Sequence, residues 1–209
     1  MASGPNDAEI YGHGEDVPES DGYLLPVLVS ILKQEASGAK RLFDLGAGNG
    51  GTASSLTKLG FQVTGVEPSP EGVAFARARS PAAEIHVGSG YDDLLKDYGT
   101  FPVVYSLEVI EHLYSPRIFL RSAYDVVEPG GLLVISTPYH GYWKNLLIAL
   151  TGGFDKHFTA LWDHGHIKFW SPTTLKAVLE DAGFSVSGFR YAGRVFPISK
   201  SMFVIARRK

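Results

Sequence analysis

Between Leu42 and Ser136, short apolar runs alternate with amphipathic stretches at a regular spacing. Leu42–Leu45 reads as a buried strand, Thr52–Leu59 as a helix stopped by Gly60, and Phe61–Glu67 as the next strand. Ser69 has the chemistry of an N-cap and Pro70 that of a first helical residue, so a helix is predicted from there to about Arg79. Glu84–Val87 predicts a third strand, Asp92–Tyr98 a helical turn, Pro102–Leu107 a fourth strand and Pro116–Val127 a helix. Pro129-Gly130-Gly131 predicts a turn into the strand Leu132–Ser136. This rhythm predicts an α/β fold, a parallel sheet with helices on both faces.

The flanks behave differently. Residues 1–22 are polar, acidic and rich in Gly and Pro and are expected to be mobile, whereas Tyr23–Leu32 predicts an apolar helix. After Pro138 the rhythm stops: residues 139–170 hold all three tryptophans, eight aromatics in total and four of the seven histidines. Ser171 and Pro172 then start a helix that ends at Gly183. Phe184–Tyr191 and Met202–Ala206 predict two strands joined by about ten residues, too few for a parallel crossover, so they form an antiparallel hairpin. No repeat and no second core interrupts residues 23–209, which are expected to form one domain.

Composition narrows the function classes. With 44% hydrophobic and 20% charged residues the chain is of the soluble globular kind. A net charge of -3, with no basic run longer than Arg207-Arg208-Lys209, argues against nucleic acid as a partner. The absence of cysteine excludes disulfides and thiolate metal sites. No signal-peptide pattern and no long apolar run stands out, so a cytoplasmic location is expected.

The chemistry concentrates where the first strand breaks into glycines, in Phe43-Asp44-Leu45-Gly46-Ala47-Gly48-Asn49-Gly50-Gly51. In an open parallel sheet such a loop lines the crevice at the carboxyl ends of the strands. Glu67, about 20 residues on, ends the second strand, where a carboxylate accepts hydrogen bonds from ribose hydroxyls. Gly46, Gly48 and Gly51 match the dinucleotide pattern, but Asp44 beside the loop repels a pyrophosphate and suits a ligand carrying an ammonium and a sulfonium. S-adenosylmethionine is therefore favoured over NAD. A non-catalytic module that binds this cofactor and an NAD-dependent oxidoreductase are the alternatives.

The segments "FDLGAGNG", "VTGVEPS", "VVYSLEVIEHL" and "EPGGLLVISTP" resemble the class I S-adenosylmethionine-dependent methyltransferases. Together with "DHGHIKFWSPTTLKAVLEDAGF" they are similar to the group that includes the ubiquinone-biosynthesis O-methyltransferases. The resemblance implies a Rossmann-like, doubly wound, seven-stranded sheet, mostly parallel with an antiparallel last strand. It also implies that Asp44, Gly46, Ala47, Gly48 and Gly50 hold the methionine part, Glu67 the ribose, and Pro68 packs beside the adenine. Ser89, Gly90 and Tyr91 are the candidates for the adenine contact. The acceptor is expected to be small and apolar or aromatic, with O-methylation favoured.

For the acceptor side, Glu108, Glu111 and His112 follow the fourth strand and read as a wall of the transfer site. His112 and His140 are the candidate general bases. His140, His157, His164 and His166 show no recognisable metal spacing, so no metal is expected. Residues 139–170 read as an aromatic lid in which Trp143 and Trp162 face the acceptor. The 142–154 segment is apolar enough for peripheral membrane contact.

Overall fold

In the computed structural model the described residues are 20–158, 160–161 and 165–209. The chain runs α1 (Asp21–Glu35), β1 (Arg41–Leu45), α2 (Gly51–Lys58), β2 (Gln62–Glu67), α3 (Pro70–Arg79) and β3 (Glu84–Val87). It continues through α4 (Leu94–Tyr98), β4 (Phe101–Leu107), a single 3₁₀ turn (Ile110–His112), α5 (Pro116–Val126) and β5 (Val127–Pro138). Then follow α6 (Tyr142–Leu150), α7 (Phe154–Phe158), α8 (Pro172–Asp181), β6 (Phe184–Ala192) and β7 (Ser201–Arg208). The expected mobile segment falls mainly on residues 1–19, outside the described residues; α1 already begins at Asp21.

All seven strands form one sheet in the order β3-β2-β1-β4-β5-β7-β6. The first five are mutually parallel, and β7 pairs antiparallel with both β5 and β6. Strand order therefore reverses between β1 and β4, and the loop after β1 opens at that switch point. The period-2 alternation of the strands splits the interior into two layers. Leu42, Val103, Leu132, Val134, Phe203 and Ile205 pack with the apolar faces of α1, α2 and α3. Phe43, Val104, Leu133, Ile135, Met202 and Val204 pack with α4, α5 and α8 on the other face.

Local chemistry sets the helix starts. Ser69 Oγ accepts the Gly72 amide at 3.1 Å with Pro70 in the first turn. Ser171 and Thr174 form a reciprocal capping box. One expectation fails: Pro129-Gly130-Gly131 does not precede β5 but lies within it. Val127 already pairs with Phe101 and Leu132 with Val103, and a register shift between them absorbs the extra residues.

Gly50 caps α2 at φ +76°, and a Cβ there would sit 2.7 Å from Ala76 Cα of α3. Gly50→Ala combines a left-handed backbone with overpacking and is expected to cost about 2–4 kcal/mol of stability. Urea denaturation measures this; a loss below about 0.5 kcal/mol would contradict the packing described.

Candidate active site

The crevice is built from the loop ends upward. The Gly46 and Ala47 amides both donate to the Val66 carbonyl at 3.0 Å, which folds the glycine loop across the end of β2. Glu67, buried at that strand end, completes the arrangement: Oε2 accepts the Gly48 amide and Oε1 the Ser69 amide, each at 2.9 Å. The reading of Glu67 as a ribose ligand alone is thus incomplete, since its carboxylate also ties together the loops that follow β1 and β2. A carboxylate offers about four acceptor directions, so two amide bonds do not exhaust it. Gly46 has φ +97°, and a Cβ there would meet Val109 Cγ2 at 2.6 Å, so the close approach of the chains permits no side chain.

Asp44 lies under this loop, 3% exposed, and accepts the Tyr105 hydroxyl at 2.8 Å. Burial pushes its carboxyl up to about 7; the Tyr105 bond works the other way, and the charges of Glu67 and Asp21 add to the rise. A carboxyl so placed is complementary to a cation. Tyr105 was not foreseen, although a tyrosine inside a buried strand signals a buried partner for its hydroxyl.

Beside Glu67, the Gly88 amide donates to the Glu67 carbonyl at 3.1 Å, which brings the loop after β3 into the same crevice. Within it the Ser89 amide donates to Asp92 Oδ2 at 2.7 Å and the Tyr91 amide to Ser89 Oγ at 3.2 Å. Gly90 lies against Phe119, where a Cβ would come within 2.4 Å of the ring. Ser89, Gly90 and Tyr91 therefore stand next to Glu67 and Pro68, on a turn that Asp92 closes.

The ends of β4 and β5 carry a second, acidic group. Glu108 has φ +54° and accepts the Ser136 hydroxyl at 2.7 Å and the Ser201 hydroxyl at 3.1 Å. Burial pushes Glu108 up to about 7, against the lowering effect of the two hydroxyls and of Lys144. Glu111 is fully buried; Oε2 accepts the Thr137 hydroxyl at 3.0 Å, while Oε1 has no hydrogen-bond partner. Burial raises its pKa strongly, and Glu108 adds to the rise. His112 Nδ1 lies 3.3 Å from the Gly165 carbonyl and Nε2 3.8 Å from Glu111 Oε1, and its ring meets His166 edge-on at 4.8 Å. A neutral His112 that donates from Nδ1 turns the Nε2 lone pair toward the carboxylate. Ligand atoms of Glu111, His112 and His166 all lie within 4.8 Å of one another. These three residues could hold a divalent cation, which the sequence did not suggest because His166 comes 54 residues after His112.

His166 also lines a pocket of about 290 Å³ with Pro138, His140, Lys144, Phe169 and Arg194. The Lys168 and Ile167 amides donate to the Glu111 carbonyl, and the His140 amide to the Trp170 carbonyl, so the ends of the 139–170 segment are anchored to the site. Its middle forms α6 and α7, and Phe158 of α7 stacks on His140 and meets Phe169 edge-on. Burial, with Lys144 and His157 nearby, lowers His140 to about 4, so its ring is neutral at pH 7 and a weak base. Trp143 does not face the pocket: it projects into solvent, 62% exposed, because the inward turn of α6 is taken by Lys144. Trp162 and His164 lie outside the described residues. The larger groove, about 700 Å³, is open and lies at the amino ends of the strands, lined by Lys40, Arg41, Pro129 and Gly130 among others, away from Asp44 and Glu67.

A family model described as a methyltransferase domain matches residues 22–187. The chain belongs to that family, the S-adenosylmethionine-dependent methyltransferases. It is 30% identical to a ubiquinone biosynthesis O-methyltransferase of Azorhizobium caulinodans over 197 residues, covering 88% of this chain and 76% of that protein. It is 30% identical to the corresponding protein of Methylobacterium nodulans over 155 residues, 71% of this chain and 61% of that one. Among solved structures, magnesium protoporphyrin IX methyltransferase from Synechocystis PCC 6803 with bound SAH superposes with a TM-score of 0.70 at 16% identity. That match covers 96% of this chain and 92% of the other. An S-adenosylmethionine-dependent methyltransferase from Mesorhizobium loti gives 0.66 at 19% identity, covering 88% and 96%. At these identities the structural likeness speaks for the fold.

Asp44 gives a pH signature. Its folded pKa of about 7 lies above the ordinary 3.8, so its contribution favours the folded state below that ordinary value and is lost as pH rises through about 7. Asn has no such dependence and keeps an oxygen for Tyr105. In cofactor-free protein, the stability of Asp44→Asn relative to the parent is expected to rise by a few kcal/mol between roughly pH 4 and pH 7. Urea midpoints across that range measure it, and a flat difference would show that Asp44 is not buried as described.

Proposed function

We propose that this chain transfers a methyl group from S-adenosylmethionine to an oxygen of a small, apolar or aromatic acceptor. The observation that carries the reading is the crevice in which Asp44, the glycine loop and Glu67 converge, beside the pocket that reaches His166. Glu67 would take the ribose, Asp44 and the Gly46–Gly50 loop the methionine part, Pro68 and the Ser89–Tyr91 turn the adenine. The cofactor supplies a sulfonium methyl that loses its positive charge on transfer, so the chain's task is alignment and exclusion of water.

The acceptor proton has a separate path. A phenol has a pKa of about 10, and His140, held near 4, is poorly matched to it. Glu108, near 7, is better matched. His112 reads as a positioned ligand more than a free base, because both nitrogens have assigned directions. A divalent cation on Glu111, His112 and His166 would lower the pKa of an acceptor hydroxyl. Among the described residues no helix is long and apolar enough to cross a membrane. The exposed Tyr142, Trp143 and Leu150 of α6 support peripheral contact with an apolar phase.

Calorimetry tests the cofactor reading: S-adenosylhomocysteine is expected to bind and NADH to give no heat. NADH binding without S-adenosylhomocysteine binding would overturn it. For the cation, Co²⁺ added to chelator-treated protein is expected to give a visible absorption band that His166→Ala abolishes. No band in the parent would leave the three residues as a structural cluster.

A further inference from the structure

The pocket beside the transfer site has an unbalanced charge. Lys144 is 7% exposed, and its ammonium donates to the carbonyls of Tyr139 at 2.8 Å and Lys200 at 3.3 Å. Arg194 stands at the same wall. Neither makes an ion pair among the described residues, where no carboxylate lies within 4.0 Å of either head group. Among the described residues no Asp or Glu lines the pocket. The two cations act on the same space: burial first, then Arg194, lowers Lys144 to about 8 against the raising effect of Glu108, and burial with both cations lowers His157. Glu108 is the acidic group that Lys144 senses, and its own carboxyl is already engaged by Ser136 and Ser201.

Keeping an ammonium out of water without a counter-ion is costly, and a fold retains such a group most readily where a ligand completes the pair. One further group points the same way. His157 Nε2 is buried without a hydrogen-bond partner, while the His140 ring has the Asn145 side chain beside it. Burial and the nearby cations hold both rings toward the neutral form, in which one nitrogen of each still donates. The remaining walls are Pro138, Leu147, Ile148, Ile198 and Phe169, with His166 and with Lys200, whose ammonium lies over the Tyr23 ring at 5.2 Å.

We infer that this pocket takes the methyl acceptor as an organic anion, an aromatic carboxylate whose charged group lies between Lys144 and Arg194 and whose ring lies against Phe169 and Leu147. This rests on the methyltransferase reading only in calling the occupant an acceptor; the pocket's preference for an anion stands on its own walls. A volume of about 290 Å³ matches a one- or two-ring compound, at the small end of ligand pockets.

The test is calorimetric titration with 2-naphthoate and with 2-naphthylmethanol, which has the same ring system and no charge, in the presence of S-adenosylhomocysteine. Naphthoate is expected to bind at least about tenfold more tightly, the effect of charge-assisted hydrogen bonds. Lys144→Met should abolish that preference. Because Lys144 also caps two carbonyls, Arg194→Gln, at an exposed position, is the second variant and should reduce the preference several-fold while leaving the melting temperature unchanged. Equal affinities in the parent, no binding of either compound, or a preference that survives both substitutions overturns the inference. The heat of S-adenosylhomocysteine is read in the same samples. Its absence with the naphthoate preference intact would count against the cofactor reading and leave the anion pocket standing.

Discussion

One carboxylate joins the parts of the crevice. Glu67 accepts the Gly48 amide with one oxygen and the Ser69 amide with the other. Those amides belong to two different crossover loops, so a single side chain at the end of β2 fixes the distance between them. It ties the glycine loop above Asp44 to the start of α3 at its Ser69 cap, while the Glu67 backbone carbonyl accepts the Gly88 amide ahead of the Ser89–Tyr91 turn. Buried amides left without acceptors would be costly, which gives this side chain a structural role whatever it binds.

Around that clamp the carboxyl ends of the strands divide into regions of opposite electrical character. Asp44, Glu108 and Glu111 are acids whose burial raises their pKa values, and Lys144 partly offsets the rise at Glu108. Lys144 and Arg194 sit on the pocket wall with no carboxylate ion pair among the described residues. A cationic cofactor suits the first region and an anionic acceptor the second. The two meet at His166, which belongs both to the Glu111–His112 cluster and to the pocket.

Much of this was legible in the sequence, for identifiable reasons. Strands β1 to β4 alternate or run apolar over short spans, Ser69 and Ser171 announce their helices, and the short link between the last two strands, eight residues in the fold, leaves no room for a parallel crossover. The glycines and Glu67 stood out because they end adjacent strands in a nucleoside-binding pattern, and Asp44 because it is chemically discordant with a phosphate ligand. What stayed hidden depends on long-range packing. Glu67 bonding to Gly48 spans 19 residues, and Tyr105 reaching Asp44 spans 61. Lys144 carried no signal of its own within the apolar 142–154 segment, and only the fold turns it inward and Trp143 outward. β5 runs on to both sides of its expected bounds because pairing partners on β4 and β7 carry it past the Pro-Gly-Gly segment and on to Pro138.

The central claim is that the clamp of Glu67 and the glycine loop is the cofactor's seat. Amide hydrogen exchange at single-residue resolution, with and without S-adenosylhomocysteine, tests it most directly. The account predicts that the Gly48 and Ser69 amides exchange slowly and in step in the free protein and slow further together when the ligand is added. It would be contradicted if those amides exchanged independently, or if the ligand protected instead the groove at the amino ends of the strands around Lys40, Arg41 and Gly130.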